Sequence, residues 1–204
     1  MSGYDLFVPY ISREELEARA CAWRYCFGVQ DRWAPDLARL LEHELPKVMP
    51  KFALRIQDEM PDNDEGRTWH SVPAIDLRAD VYDALCHGQP RARFTAAHEL
   101  AHFVLHTGES RPRAVKPIAS TTIPRSQSSE GQANDFAASF LMPEQLLRRE
   151  QFNSPSDLAA ACNVSLKAAE IRMLELRQWP KARQPIPEVE EFLRKMKEQQ
   201  KRGK

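Results

Sequence analysis

His98 and His102 stand four residues apart, with Glu99 beside the first, inside a stretch from about Arg91 to His106 that reads as a helix. On an α-helix, residues four apart are offset by only about 40° and stack one turn above another, so two imidazoles at this spacing can be directed to one point. Glu99 lies about 100° around from His98, from where it can work beside that point without occupying it. The flanks, Phe94-Thr95-Ala96-Ala97 and Phe103-Val104-Leu105, make the helix apolar over most of its circumference. The three polar side chains are therefore expected to be buried and to need partners, and a metal ion would supply one. The competing reading is a charged helix with two surface or capping histidines, against which the apolar flanks argue.

Zinc suits such a donor set. It takes tetrahedral nitrogen and oxygen ligands, and three protein ligands leave a fourth position for water, whose pKa zinc lowers towards about 7. Glu99 would then act as the general base in hydrolysis. The third ligand has to come from elsewhere. His106 continues the four-residue spacing, but it lies about 12 Å along the helix from His98, with no glycine between His102 and His106 to turn the chain back. It is expected to cap the helix C-terminus or to support the site from behind its ligands. Glu130 is the better candidate, because it opens a helix whose inner face is Ala133, Phe136, Ala137, Phe140 and Leu141, with Asn134 one turn along as an orienting residue. Its bland alternative is an ordinary first-turn acid facing the helix dipole. For stabilising an oxyanion, His70, Tyr82, His87 and His106 are unranked candidates.

The rest of the chain supplies the frame. With 204 residues and 42% apolar content it can bury one substantial core. Ser12 and Glu15 have capping-box spacing ahead of Leu16, Ala20, Trp23 and Phe27, with Gly28 as the stop. A second helix is predicted from Ala34-Pro35, through Leu37, Leu40, Leu41 and Leu45, to Pro46. Strands are predicted at Phe52–Ile56 and Val72–Leu77, separated by the polar run Pro61–Arg67, with Pro73 at an edge or a strand start. The main helix should stop at Thr107-Gly108. The polar segment Glu109–Ser129 is too long for an ordinary connection and is expected to border the site. Pro155–Leu176 reads as a helix, a tight turn and a helix, and the charged tail beyond Ile186 as a fraying helix. The expected division is residues 1–150 as the catalytic domain, 151–180 as a helix-turn-helix-like subdomain and 181–204 as a tail. No internal repeat is apparent.

The 29 basic residues balance the 29 acidic ones, so no overall field drives binding to nucleic acid or an anionic membrane. Cys21, Cys26, Cys86 and Cys162 show no CxxC spacing and are expected to be reduced, structural thiols. Neither a leader nor a membrane span is evident, and a cytoplasmic location is expected.

The stretch Arg93-Phe94-Thr95-Ala96-Ala97-His98-Glu99-Leu100-Ala101-His102-Phe103-Val104-Leu105-His106, followed by Glu130-Gly131-Gln132-Ala133-Asn134-Asp135-Phe136-Ala137-Ala138-Ser139-Phe140-Leu141-Met142-Pro143, resembles the ImmA/IrrE family of metallo-endopeptidases. The resemblance extends over roughly Leu16–Leu176, including Asn163-Val164-Ser165, Ala168-Ala169 and Arg172. It implies an α+β, zincin-like fold with a small sheet and a helical C-terminal subdomain. It further implies zinc held by His98, His102 and Glu130, Glu99 as general base, and a protein substrate, typically a helix-turn-helix repressor or an antitoxin-like partner. Gln132 stands where many members carry Glu, which leaves Glu130 as the acid immediately upstream of Ala133-Asn134. Ala101 replaces the commoner Gly.

Two other classes of function fit some of the residues. A DNA-binding regulator would use the helical pair at Pro155–Leu176, but only Lys167, Arg172 and Arg177 supply positive charge there, against Glu170 and Glu175. A protein whose zinc is structural would be expected to show four protein ligands, commonly with Cys, and no cysteine here has that spacing. Direct nucleic-acid binding and membrane association are therefore not expected, and the oligomeric state is open.

Overall fold

The computed structural model describes residues 5–69, 71–106, 123–150 and 152–178. Helix α1 (Arg13–Cys26) opens as its sequence dictates: the Ser12 hydroxyl accepts from the Glu15 amide at 3.1 Å. Leu16, Ala20, Trp23 and Phe27 are buried, and Gly28 leaves the helix at φ +66°, a conformation that side-chain-bearing residues avoid. The next helical run starts later and ends later than the sequence suggests. The Asp36 carboxylate caps it by accepting from the Arg39 amide, and α2 (Leu37–Arg39) passes through a π-helical turn (Leu40–Glu44) into α3 (Leu45–Val48). Pro46 has no N–H to give an intrahelical partner. It is accommodated at the start of a new turn, where no such bond is needed.

The sheet has order β1-β3-β2, from β1 (Ala53–Gln57), β2 (Gly66–Trp69) and β3 (Ala74–Arg78). β1 runs parallel to β3, and β2 antiparallel to it. The predicted strand at Phe52–Ile56 is displaced by one residue, and that at Val72–Leu77 begins two residues late. Pro73 sits before β3, its carbonyl accepting from the Ala53 amide at 2.9 Å, so it is a strand start on what becomes the central strand. The run Pro61–Arg67 is not simply a separator: it turns at Pro61–Asn63, and its end enters β2. A helix not anticipated from the sequence, α4 (Ala79–Cys86), follows β3; Val81 and Leu85, one turn apart, are its buried pair.

Helix α5 (Pro90–Leu105) begins on a proline and ends with His106 as its C-cap. Helix α6 (Ser129–Leu141) is capped by the Ser128 hydroxyl, which accepts from the Gly131 amide at 2.9 Å. A short α7 (Glu144–Arg149), not anticipated, follows Pro143. Helix α8 (Pro155–Cys162), a left-handed Asn163 at φ +51° and α9 (Leu166–Gln178) give the predicted helix, tight turn and helix. Thr107-Gly108, most of the Glu109–Ser129 segment and the 181–204 tail lie outside the described residues. Among the described residues no helix is long and apolar enough to cross a membrane. All four cysteines are free; Cys86 is exposed, contrary to a purely buried role.

α9 is tied to the body by a buried ion pair. The Arg172 guanidinium donates to Glu17 on α1 at 2.5 Å and to the Met142 carbonyl at 3.0 Å, while the other Glu17 oxygen accepts from the Glu144 amide at 2.6 Å. Arg172 is 1% exposed, so it cannot serve as the phosphate contact considered for a DNA-binding reading. On the neighbouring side, Arg93 of α5 donates to the carbonyls of Pro35, Cys162 and Asn163. Replacing one partner of a buried pair leaves the other charge uncompensated, which typically costs about 3–5 kcal/mol. Glu17→Ala is therefore expected to lower unfolding free energy by about that amount in urea titration. A change within a few tenths of a kcal/mol would show that Arg172 does not depend on Glu17.

Candidate metal centre

Helices α5 and α6 pack directly on one another. Ala97 and Ala101 on α5 and Ala133 and Ala137 on α6 are fully buried, and small residues allow helix axes to come close. This packing sets the first turn of α6 opposite the middle of α5. His98 Nε2 and His102 Nε2 are 3.0 Å apart, and the two Glu130 oxygens lie 3.2 Å from His98 Nε2 and 3.2 Å from His102 Nε2 respectively. One ligand atom from each residue falls within 4.8 Å of the others. The three residues singled out from the sequence are thus brought together.

The segment before α1 holds the start of α6 in place. Asp5 accepts from the Ser128 hydroxyl at 2.7 Å and from the Glu130 amide at 3.3 Å. Leu6 exchanges hydrogen bonds with Ser129, Val8 donates to the Gln127 carbonyl, and Phe7 forms a β-bridge with Ser128. No pattern in residues 5–11 announces this, because the contacts are made largely by backbone and join segments on the order of 120 positions apart.

Glu99 is buried between α5 and β2. The Thr68 hydroxyl lies 2.7 Å from Glu99 Oε2 and 2.9 Å from the Glu99 carbonyl, and Thr95 donates to Glu65 just before β2, so the strand is fastened along the helix. Gly66 makes the approach possible: a Cβ there would lie 2.7 Å from Glu99 Cγ. Both residues were missed in the sequence, where a four-residue strand is too short to show alternation. Asn134 Oδ1 lies 3.1 Å from His98 Nδ1, and His106 stands behind His102 with its Nδ1 3.2 Å from His102 Nδ1. Tyr82 donates to Glu42 and His87 to the Asp83 carbonyl, so both rings are engaged elsewhere. His70 lies outside the described residues.

The electrostatics follow from these contacts. Burial pushes the Glu99 carboxyl above its ordinary value, against the pull of His102, His98 and the Thr68 hydroxyl. Burial also pushes Glu130 up, but the ring nitrogens of His102 and His98 outweigh it and hold this carboxyl well below the usual range. For His102, burial is outweighed by Glu130 and Glu99, and its pKa is raised. With His98 Nδ1–H donating to Asn134, its Nε2 presents a lone pair to the same space as the carboxylate. Two nitrogens and a carboxylate converging at ligand spacing repel one another unless a cation or protons lie among them, and the donor set is one that a divalent metal accepts. A separate cavity of about 440 Å³ opens between α5 and the α8–α9 pair, lined by Phe94, Thr95, Val164 and Ala168 among others. It contains none of the convergent residues, although the Phe94 and His98 rings are 6.3 Å apart.

Residues 81–174 match the model of the Peptidase_M78 family, described as the IrrE N-terminal-like domain, a metallopeptidase family. The matched stretch contains both helices of the centre, and the ImmA/IrrE resemblance read from the sequence holds over it. Among solved structures, a Mycobacterium tuberculosis transcriptional regulator is similar in fold, with a TM-score of 0.59 at 22% identity over 86% of this chain. The likeness covers 60% of that protein, so this chain spans less than two thirds of its length. No curated protein matches the chain.

Two outcomes follow for the metal-free protein. Gly66→Ala forces Glu99 or β2 to shift and is expected to cost about 1–3 kcal/mol in denaturant unfolding, as overpacking does; an unchanged midpoint would show that the contact relaxes freely. Because the folded-state pKa of Glu99 is raised above its ordinary 4.5, its contribution favours folding below that pH and is lost as pH rises through the folded value. Glu99→Gln cannot ionise. Its stability should therefore gain on wild type progressively as pH is raised from about 4.5 towards neutrality, whereas a constant difference across the range would exclude this origin.

Proposed function

We propose, from the IrrE N-terminal-like match over residues 81–174, that this chain is a zinc-dependent endopeptidase of zincin-like construction that cleaves a specific cytoplasmic protein. The observation that carries the reading is the convergence of His98, His102 and Glu130 at ligand spacing beside a fourth, buried acid that is not one of the three. Their nitrogen and oxygen atoms fit Zn2+ as a three-residue set, which is the arrangement of catalytic rather than structural sites. When bound, zinc supplies a Lewis acid for the scissile carbonyl and lowers the pKa of water to the neutral range.

The chain's own residues do the rest. Glu99 takes the proton from the attacking water and passes it to the leaving amine. A carboxylate whose pKa is raised by burial does this more effectively than an exposed one. Thr68 fixes the orientation of that carboxylate, and Asn134 that of the His98 ring. His106 supports His102 from behind. The proposed substrate is a helix-turn-helix repressor or antitoxin-like partner, on the strength of the family resemblance; the fold neighbour's own description as a transcriptional regulator is compatible with a regulatory setting. The described end of the 109–129 segment, which meets the N-terminal residues beside Glu130, and the cavity along α5 are the places for substrate contacts. Residues 151–180 are proposed as a helical subdomain seated on the catalytic part.

The alternative, a regulator that binds DNA without cleaving protein, is weakened by Arg172. One of its three cations is buried in an ion pair, and Lys167 faces Glu170 at 3.7 Å. Metal analysis of untagged protein by mass spectrometry tests the reading. About one zinc per chain is expected in wild type and in Glu99→Gln, and none in Glu130→Ala. Against a co-expressed helix-turn-helix repressor, Glu99→Gln is expected to cut hydrolysis by about 10²–10⁴-fold. Wild type without zinc, or zinc retained by Glu130→Ala, would overturn the ligand set; full activity in Glu99→Gln would remove it as the base.

A further inference from the structure

Gln132 is 1% exposed and fully occupied. Its Nε2 lies 2.7 Å from the Pro9 carbonyl and 2.8 Å from the Ser126 carbonyl. Carbonyl oxygens only accept, so the two amide hydrogens must face them, and this fixes which end of the amide points the other way. The remaining oxygen, Oε1, faces His106 Nε2 at 3.2 Å and can only accept. His106 Nε2 must therefore carry a hydrogen. In the neutral ring, Nδ1 is then a bare acceptor, and it lies 3.2 Å from His102 Nδ1. His102 must put its own hydrogen on Nδ1, which leaves Nε2 as the lone pair directed at His98 Nε2 and Glu130.

We propose that Gln132 and His106 form a positioning relay that sets the tautomer and ring orientation of His102 as a metal ligand, with the backbone at Pro9 and Ser126 as its fixed end. On this assignment His106 carries its hydrogen on Nε2 and accepts from His102 at Nδ1. Gln132 cannot be replaced by an acid without loss, since a carboxylate has no hydrogens for the two carbonyls. The relay gives this chain's departure at position 132 a physical reason: here the residue has to accept from a histidine and donate to two carbonyls at once. It also makes the segment before α1 part of the metal centre, because Pro9 holds Gln132 as Asp5 holds the Glu130 amide. The inference rests on the zinc reading for what the relay serves, but the hydrogen positions it assigns can be tested independently.

The experiment combines nitrogen NMR of the histidine rings in the zinc-loaded full chain with zinc affinity measured by chelator competition. The His106 ring is expected as the Nε2–H tautomer with an unprotonated Nδ1, scalar-coupled across the hydrogen bond to His102 Nδ1. His106→Phe, which keeps a ring but removes the acceptor, is expected to weaken zinc binding by about 10–100-fold, the usual cost of losing a partner behind a ligand. His106→Gln, whose amide can accept from His102 and donate to Gln132, should recover most of that loss. A His106 ring carrying its hydrogen on Nδ1, or zinc affinity in folded His106→Phe within threefold of wild type, would overturn the relay. If His106→Phe does not fold, the wild-type ring spectrum alone decides. A wild-type chain that binds no zinc would sink the peptidase reading, while the His106 spectrum of the metal-free chain would still decide the relay.

Discussion

Three groups that repel one another unless a proton or a cation lies among them are held around a single point in this protein, and most of the molecule serves to keep them there. His98 Nε2, His102 Nε2 and the Glu130 carboxylate converge within 4.8 Å because alanine-lined faces let α5 and α6 approach closely. Such an arrangement is unfavourable by itself, since burying acceptors against acceptors offsets part of what apolar packing contributes. It persists because the large apolar core spans both helices, α1 and the sheet, and each polar atom behind the centre has a partner.

Those partners divide the labour. Asn134 and the His106–Gln132 pair stand behind the two imidazoles, while Thr68 and Gly66 shape the place of Glu99. Two carboxyls near enough to influence one another are thereby driven in opposite directions. Glu130, open at one edge and facing two imidazoles, stays ionised; Glu99, enclosed by α5 and β2, is pushed towards the neutral form. The proposed roles of ligand and base call for those opposite properties, and they arise from position alone, both residues being glutamates.

What was legible in the sequence is what has a period. The i, i+4 histidines, the apolar stripe of α6 and the Ser12 cap all express helical geometry within a few residues, and all are found where expected. α4 was missed because its eight residues follow β3 without a break and its buried pair, Val81 and Leu85, is too sparse to reveal a helix. β2 was missed because it is held by Thr68, Gly66 and pairing to β3, none of which leaves a hydrophobic pattern. Arg172 was counted as a surface cation, since its partner Glu17 lies 155 positions away. Gln132 could be seen only as a departure from a resemblance; its reason depends on carbonyls at Pro9 and Ser126.

The pairing of residues 5–8 with 127–130 has a consequence for the order in which the molecule assembles. Leu6 and Ser129 are separated by 123 positions, so this contact closes one of the longest loops in the described chain, and closure of such a loop is entropically late. During synthesis the two histidines emerge before Glu130, and the clamp on Glu130 forms only once the first segment of the chain has found the start of α6. A metal ion drawn to the proposed centre would meet His98 and His102 on a nascent helix before Glu130 is in place. Convergence of the three side chains therefore requires that the segment before α1 has already met the start of α6.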